Sequence, residues 1–348
     1  MAKISTPIWR DIYVDLGASA VPFRVRVNTS GGDIIYNGTC TPNPETGRAV
    51  VRLNDIAADY FVHTLPSLTD AHFSALTFPL RFYVEKQVGG IWATLLDFWE
   101  VTFDWSYDPA YDVAVDGYAF PIVPVLAASQ HVLFTVYNEA SATLTVTYSD
   151  GTTAVNTVPI ATSADFNNDF NRDFARGLRS AGSGTLAFDL TAYDVPGKTI
   201  TALDIDGHSW DVLSGCSYRY VLHYLNAYGG WDSLLVQGVS TRVDTLDRSL
   251  SEVDYDNRGT QNRGRVNYAT DIKRTYTLNT AALTDGQAAR MWHLLESTDV
   301  YLEDLQDGII RPVVLTGTEC AFRESRNNGH RFPQYTITAE VAQIFERR

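Results

Sequence analysis

The sequence predicts a mainly β protein with a C-terminal α+β unit, organised as several domains with β-sandwich modules in series. Three observations predict it. Apolar residues alternate with polar ones over most of the chain, as in Phe23, Val25 and Val27 against Arg24 and Arg26. Asp-Gly pairs at 150–151, 206–207 and 307–308 each separate two such alternating runs, the strongest short-range signal for a β-hairpin. Helical spacing stands out in one place, where Ala288, Met291, Trp292 and Leu295 recur at i, i+3, i+4 and i+7. At 348 residues and 45% hydrophobic content the chain can bury two or three separate cores.

The first domain spans 1–107. Phe23 to Val27 and Ile34 to Tyr36 flank the Gly31-Gly32-Asp33 turn, and Thr41 to Gly47 is a rigid polar turn before a short strand at Ala49 to Leu53. Phe78 to Lys86 and Ile91 to Asp97 are strands joined through Gly89-Gly90, and Trp99 to Trp105 is the next. Residues 108–128, with Pro109, Pro121 and Pro124, form an extended linker whose aromatic content predicts that it packs down. A β-sandwich of immunoglobulin or fibronectin type then occupies 129–215. Phe166, Phe170 and Phe174, spaced four apart in its polar middle, fit either a short helical face or a tucked loop.

The C-terminal α+β domain, 216–348, opens with the densest aromatic run in the chain. Tyr218, Tyr220, Leu222 and Tyr224 share one parity and Val221, His223 and Leu225 the other, which is the pattern of a strand buried on both faces. Gly229-Gly230 turns it into Trp231 to Val236, with Tyr228 and Trp231 expected at the loop tip. Residues 244–270, rich in Asp, Asn, Arg and Gly, are a long polar arm carrying Arg258, Arg263 and Arg265. The next strand is Arg274 to Leu278. Thr284-Asp285-Gly286-Gln287 fits a capping box for this helix, and strands at Val300 to Leu305, Ile309 to Leu315 and Gln334 to Ile344 close the chain.

Composition excludes several functions. Asp and Glu outnumber Lys and Arg by 41 to 27, a net charge of −14 that repels nucleic acid and anionic membranes. Cys40, Cys216 and Cys320 lack disulfide or zinc spacing. Neither an apolar signal segment nor a membrane-length apolar run occurs, so folding in the cytoplasm is expected, and the sequons at Asn28 and Asn37 are expected to be turns.

No phosphate loop, zincin or nucleophile-elbow motif is present, so no catalytic residue, metal ligand or cofactor is expected. Asp204-Ile205-Asp206-Gly207-His208 has the glycine too early for an EF-hand and fits a hairpin turn better. Glu85 with Asp97, or Glu303 with Asp304, has the composition of a glycosidase acid pair, but 41 acids make chance pairs common. Tyr224, Tyr228 and Trp231 fit an aromatic contact for a sugar or a protein, and equally a core packed on the helix. Arg258, Arg263 and Arg265 fit a contact to an acidic neighbouring subunit, or a solvated loop.

Three places carry a resemblance. Ile35-Tyr36-Asn37-Gly38, the Pro turn and Leu53-Asn54-Asp55-Ile56-Ala57-Ala58-Asp59-Tyr60, ending the unit with Asp104-Trp105-Ser106-Tyr107-Asp108, form the first. The Tyr-rich strand into Asn226-Ala227-Tyr228-Gly229-Gly230-Trp231-Asp232 is the second. The third is the end of the chain, from Leu294-Leu295-Glu296-Ser297 through Val300-Tyr301-Leu302 and Pro312-Val313-Val314 to the closing strand. Together they resemble structural, tail-associated or virion proteins of tailed phages and prophages of Bacteroidales-type gut bacteria. The resemblance implies a non-enzymatic virion component at the tail, baseplate, neck or a fibre. It also implies assembly as a homo-oligomeric ring beside other virion proteins. A host-recognition module binding a surface glycan through Tyr228 and Trp231 is the alternative.

Overall fold

In a computed structural model the protein is described over residues 3–7, 13–18, 21–29, 32–52, 56–57, 65–68, 72–75, 77–104, 117–119, 125–139, 141–160, 182–213, 219–226, 229–252, 265–317, 321–327, 330–342 and 345–347. It is mainly β, in several antiparallel sheets, with one α-helix longer than a turn among these residues.

The N-terminal segment supplies β1 (Lys3–Pro7), β2 (Tyr13–Ala18), β3 (Phe23–Thr29), β4 (Ile34–Cys40), β5 (Arg48–Arg52), β6 (His72–Ala75), β7 (Thr77–Val88) and β8 (Ile91–Asp104). Five of them form a sheet in the order β1-β8-β7-β3-β4, in which β1 lies parallel to β8; β2 pairs β5 separately. The predicted alternation of β3 is realised. Phe23, Val25 and Val27 face a core with Leu80, Phe82 and Val84. On the other face the Arg24 and Arg26 guanidiniums lie 4.9 and 4.8 Å from the Trp92 and Tyr83 ring centroids.

The central sandwich contains β9 (Gly117–Ala119), β10 (Val125–Ala127), β11 (His131–Glu139), β12 (Ser141–Tyr148), β13 (Thr153–Pro159), β14 (Gly182–Asp189), β15 (Ile200–Ile205) and β16 (His208–Leu213). One sheet runs β10-β16-β15-β12-β13 and the other β6-β14-β11-β9. Phe134, Val136, Leu144, Val146, Phe188 and Leu203 fill the space between them. Within the expected linker 108–128 the described residues include two edge strands, β9 and β10, which join the sandwich sheets. The 1–107 segment lends β6 to the same sandwich, a long-range pairing with no local sequence signature. Phe166, Phe170 and Phe174 lie outside the described residues.

The C-terminal unit is a nine-stranded sheet with a helix on one face. Its strands are β17 (Tyr220–Leu225), β18 (Trp231–Leu235), β19 (Thr241–Glu252), β20 (Arg265–Asn279), β21 (Val300–Asp304), β22 (Ile309–Leu315), β23 (Ala321–Asn327), β24 (His330–Val341) and β25 (Phe345–Arg347). The main order is β18-β17-β21-β22-β24-β20-β19. Helix α1 (Asp285–Leu295) starts with the expected capping box: Thr284 Oγ1 accepts from the Gln287 amide, and the Gln287 side chain accepts from the Thr284 amide. Ala288, Met291 and Leu294 face the sheet core of Tyr220, Leu222, Tyr224, Tyr276 and Leu278. No helix among the described residues is long and apolar enough to cross a membrane.

Candidate interaction surfaces

The aromatic hairpin β17–β18 is buried on both faces throughout, as its two-sided apolar pattern predicts. Tyr220, Leu222, Tyr224 and Leu234 face α1, while Val221, His223, Leu225, Trp231 and Ser233 face the sandwich strand β11 and the N-terminal core. A strand alternates its side chains, so this one hairpin joins all three units.

The joint on the sandwich side is polar. Ser233 Oγ accepts the Leu133 amide at 2.9 Å and lies 2.9 Å from His223 Nδ1. His223 Nε2 is 3.1 Å from Glu303 Oε2, and Glu303 Oε1 is bonded to His131 Nδ1. A His223 ring with its proton on Nε2 satisfies every atom, taking the Ser233 hydroxyl proton at Nδ1 and donating to the carboxylate. Burial alone would push the Glu303 carboxyl up, but the two imidazoles hold it down to about 2. The hydrogen bond to Glu303 raises His131, against the opposing effect of its burial.

Ser, His and Glu in line evoke a hydrolytic triad, but this geometry serves cohesion. Ser233 is 2% exposed, His223 is fully buried, and the Ser233 oxygen is already committed to a backbone amide. A substrate carbonyl has no approach to it. Nearby, Asn226 Nδ2 donates to Thr135 Oγ1 at 2.9 Å and the Trp231 amide to Thr185 Oγ1 at 3.0 Å. A Cβ on Gly230 would come within 1.9 Å of Thr135 Oγ1, so this glycine permits the close approach of hairpin and sandwich.

On the opposite face, under α1, Asp232 is 1% exposed with Arg290 Nη2 3.6 Å away. Burial pushes its carboxyl up to about 7, against the Arg290 guanidinium and the Asn226 amide, which favour the charge. The neighbouring Tyr224 hydroxyl is likewise raised well above its ordinary value by burial.

Trp231 is not at an exposed tip. It is 4% exposed, meets Tyr301 edge-on with ring centroids 5.6 Å apart, and packs among Phe23, Leu133, Ala187 and Leu225, where the three units converge. Its parity sends it to the sandwich face rather than onto α1, so an aromatic contact for a glycan cannot use it. Tyr228 lies outside the described residues.

The polar stretch 244–270 is not simply a loop. Residues up to Glu252 belong to β19 and those from Arg265 to β20, which pair continuously from Thr241↔Thr277 to Glu252↔Arg265 with one bulge. Polar strands with both faces in water lack the apolar alternation that marks a strand, and so resemble a loop in sequence. Arg265 opens β20; Arg258 and Arg263 lie outside the described residues.

This ribbon is the open end of the sheet. Every residue from Thr241 to Leu250 is exposed, including Val243, Leu246 and Leu250, with Tyr268 exposed on β20. At its base Asp244 accepts from both Arg242 and Arg274, at 2.7 to 3.2 Å, which holds its carboxyl far below the usual range. A second exposed feature escapes helical-period reasoning: Trp292 is 57% exposed on α1. The buried arc centres near Met291, and one residue later the helix has turned roughly 100°. Spacing alone cannot tell the edge of an apolar stripe from its centre.

The remaining motifs resolve as structure. Asp206, with φ +48°, and Gly207 form the β15–β16 turn, where Asp204 Oδ1 accepts the Gly207 amide at 2.9 Å. Glu303 and Asp304 point to opposite faces of β21, and Asp304 forms a two-pronged pair with Arg219 at 2.9 to 3.1 Å. Glu85 is bonded to Arg24. No protein-family model matches the chain, and no curated protein matches it in sequence.

Proposed function

We propose that the chain is a non-enzymatic structural subunit of a tailed-phage virion, in the tail, baseplate or neck, which assembles with copies of itself into a symmetric ring beside other virion proteins. Such a subunit is made in the host cytoplasm and ends in the virion. The resemblance of its three quoted segments supports the virion setting. The observation that carries the assembly reading is the β19–β20 ribbon.

Beyond the Arg248–Thr270 pair β19 and β20 are a two-stranded ribbon, marginal in water by itself, that holds Leu250 and Tyr268 in solvent; Val243 and Leu246 are exposed nearer its base, where β20 also pairs β24 and β25. Its β19 edge pairs with no further strand among the described residues, leaving twelve residues of backbone donors and acceptors open along one side. An inter-subunit contact buries Leu246 and Leu250, which share one face of β19, and completes that edge. A ribbon that meets a different surface of the next copy makes a heterologous contact, and such contacts form a ring when the rotation between copies closes.

The test compares the full chain with a variant in which residues 249–269 are replaced by an Asn-Gly turn closing on the Arg248–Thr270 pair. Light scattering and negative-stain imaging should find a ring of many copies for the full chain and a monomer for the variant, with one melting temperature for both. Unchanged ring formation by the shortened protein would falsify the role given to the ribbon.

A further inference from the structure

We propose that His131 is a proton-operated clamp: charged, it holds the sandwich on Glu303 of the C-terminal unit, and when it loses its proton that end of the joint opens while the Trp231 end stays shut. The first observation is where charge lies. Contacts to the C-terminal unit run along β11 at His131, Leu133 and Thr135. At the Thr135 end they join neutral groups, the Asn226 amide to Thr135 and the Trp231 amide to Thr185. Ala127 of β10 packs with Val221 and Leu235, likewise without charge. At the other end the His131 ring and its backbone amide both meet the Glu303 carboxylate, the amide at 3.4 Å.

The second observation is access. The Glu303 side chain is 3% exposed and that of His223 is fully buried, whereas the His131 side chain is 24% exposed. Of these three, His131 is the one that meets solvent while the joint is shut. Its other ring nitrogen, Nε2, lies 3.8 Å from Asp189 Oδ2 at the end of β14. One imidazole therefore stands between two carboxylates, one from each unit.

The third is what the proton does there. The charged or titratable groups that face the His131 ring are Glu303 of β21 and Asp189 of β14, with His223 of β17 behind Glu303. The hydrogen bond to Glu303 raises its proton affinity against the effect of burial, and the Glu303 and Asp189 charges add to the rise. Without the proton, Nδ1–H can still donate to Glu303, but the Nε2 lone pair then faces the Asp189 carboxylate. Glu303 is left as a buried charge between two neutral rings, a strongly unfavourable state. Parting β11 from β21 at His131 relieves it by admitting water to the carboxylate, and the neutral contacts at the Thr135 end have no reason to follow.

The test is hydrogen exchange at single-amide resolution in the full chain, corrected for the intrinsic pH dependence of exchange. It compares two amides bonded across the joint, Leu133 to Ser233 and Trp231 to Thr185. Between about pH 5.5 and about pH 8.5 Leu133 should lose roughly tenfold in protection and Trp231 should lose none. The midpoint should coincide with the titration of the His131 ring, followed by NMR of histidine-labelled protein and assigned by its absence from His131→Asn. That variant keeps a donor for Glu303 and cannot titrate, so its Leu133 protection should not vary with pH. Asp189→Asn keeps an acceptor for the Thr191 amide but removes one of the two charges, and should move ring titration and opening together to lower pH. Leu133 protection that ignores pH, equal losses at Leu133 and Trp231, or wild-type pH dependence in His131→Asn would overturn the clamp. Should His131→Asn not fold, Asp189→Asn decides alone: a ring titration that moves while the opening does not would overturn it as well.

Discussion

At one end of the nine-stranded sheet β17 and β18 bury every residue from Tyr220 to Leu225 and from Trp231 to Leu235; at the other, β19 exposes every residue from Thr241 to Leu250. Both ends are β-hairpins with apolar residues on them. They differ in what lies above and below. The first has α1 on one face and β11 on the other, and it can bury Asp232, His223, Ser233 and Glu303 because facing elements supply partners. The second has neither layer, and its charges pair on the sheet itself, Asp244 with Arg242 and Arg274, and Lys273 with Glu340 of β24. One sheet thus holds an interior joint at one end and an exposed ribbon at the other, depending on which end the rest of the chain covers.

The sharpest way to break this comparison is to truncate a tryptophan at each site. Trp231→Ala removes a ring packed among three units and should cost about 4 kcal/mol in urea unfolding. Trp292→Ala should change stability by less than about 0.5 kcal/mol. Similar losses for the two would mean that the buried hairpin is not the joint between the units.

Next in size is Glu303→Gln, which leaves His131 and His223 without their shared carboxylate. Breaking a buried charged network of this kind should cost on the order of 3 kcal/mol. An unchanged unfolding midpoint would mean that the network adds nothing to the joint.

The two buried acids at this end give opposite pH dependences. Glu303 is held at about 2, below its ordinary 4.5, so its contribution is present above pH 4.5 and is lost as pH falls toward 2. Asp232 is pushed to about 7 from its ordinary 3.8, so the folded protein binds a proton that the unfolded chain has released. Stability therefore declines as pH rises from about 4 to 7, by at most about 1.4 kcal/mol per pH unit for one group. His131, raised above 6.5, contributes fully below that value, and its contribution is lost as pH rises through its folded value. Urea melts across pH should show maximum stability on the acid side of neutrality, and Asp232→Asn should flatten the decline between 4 and 7. An unchanged slope in that variant would remove Asp232 from the account.

The smallest effect belongs to the open end. Arg274→Ala breaks one arm of the Arg242–Asp244–Arg274 cluster, which is partly in water, and should cost about 0.5 kcal/mol, less at high salt. A cost of several kcal/mol, measured by the same melts, would mean that the ribbon is held as firmly as the interior end.

Much of the fold was legible because it is local. The Asp-Gly and Gly-Gly turns join the strands they were expected to join, the capping box at Thr284 and Gln287 forms, and β17 is buried on both faces as its parity demands. What failed did so for physical reasons. Trp231 sits beside a glycine turn, which favours a tip, but its parity and the approach of Thr135 to Gly230 draw it inward. The ribbon reads as a loop because strands wet on both faces carry no apolar alternation, and β20 begins nine residues before the expected Arg274. Trp292 shares the helical spacing of Ala288, Met291 and Leu295 yet is exposed, because spacing defines a stripe and not its edges.

The sequence by itself determined the local structure: strands, turns, helix α1 and its cap, each set by backbone preference and side-chain parity within a few residues. Only the tertiary structure decided which apolar residues are covered. Pairings such as β6 with β14, the meeting of three units at Trp231, and the His131–Glu303–His223–Ser233 joint bring together residues 10 to more than 170 positions apart. No local preference encodes them; they arise from the summed burial of whole faces, and so does the bare end of the sheet.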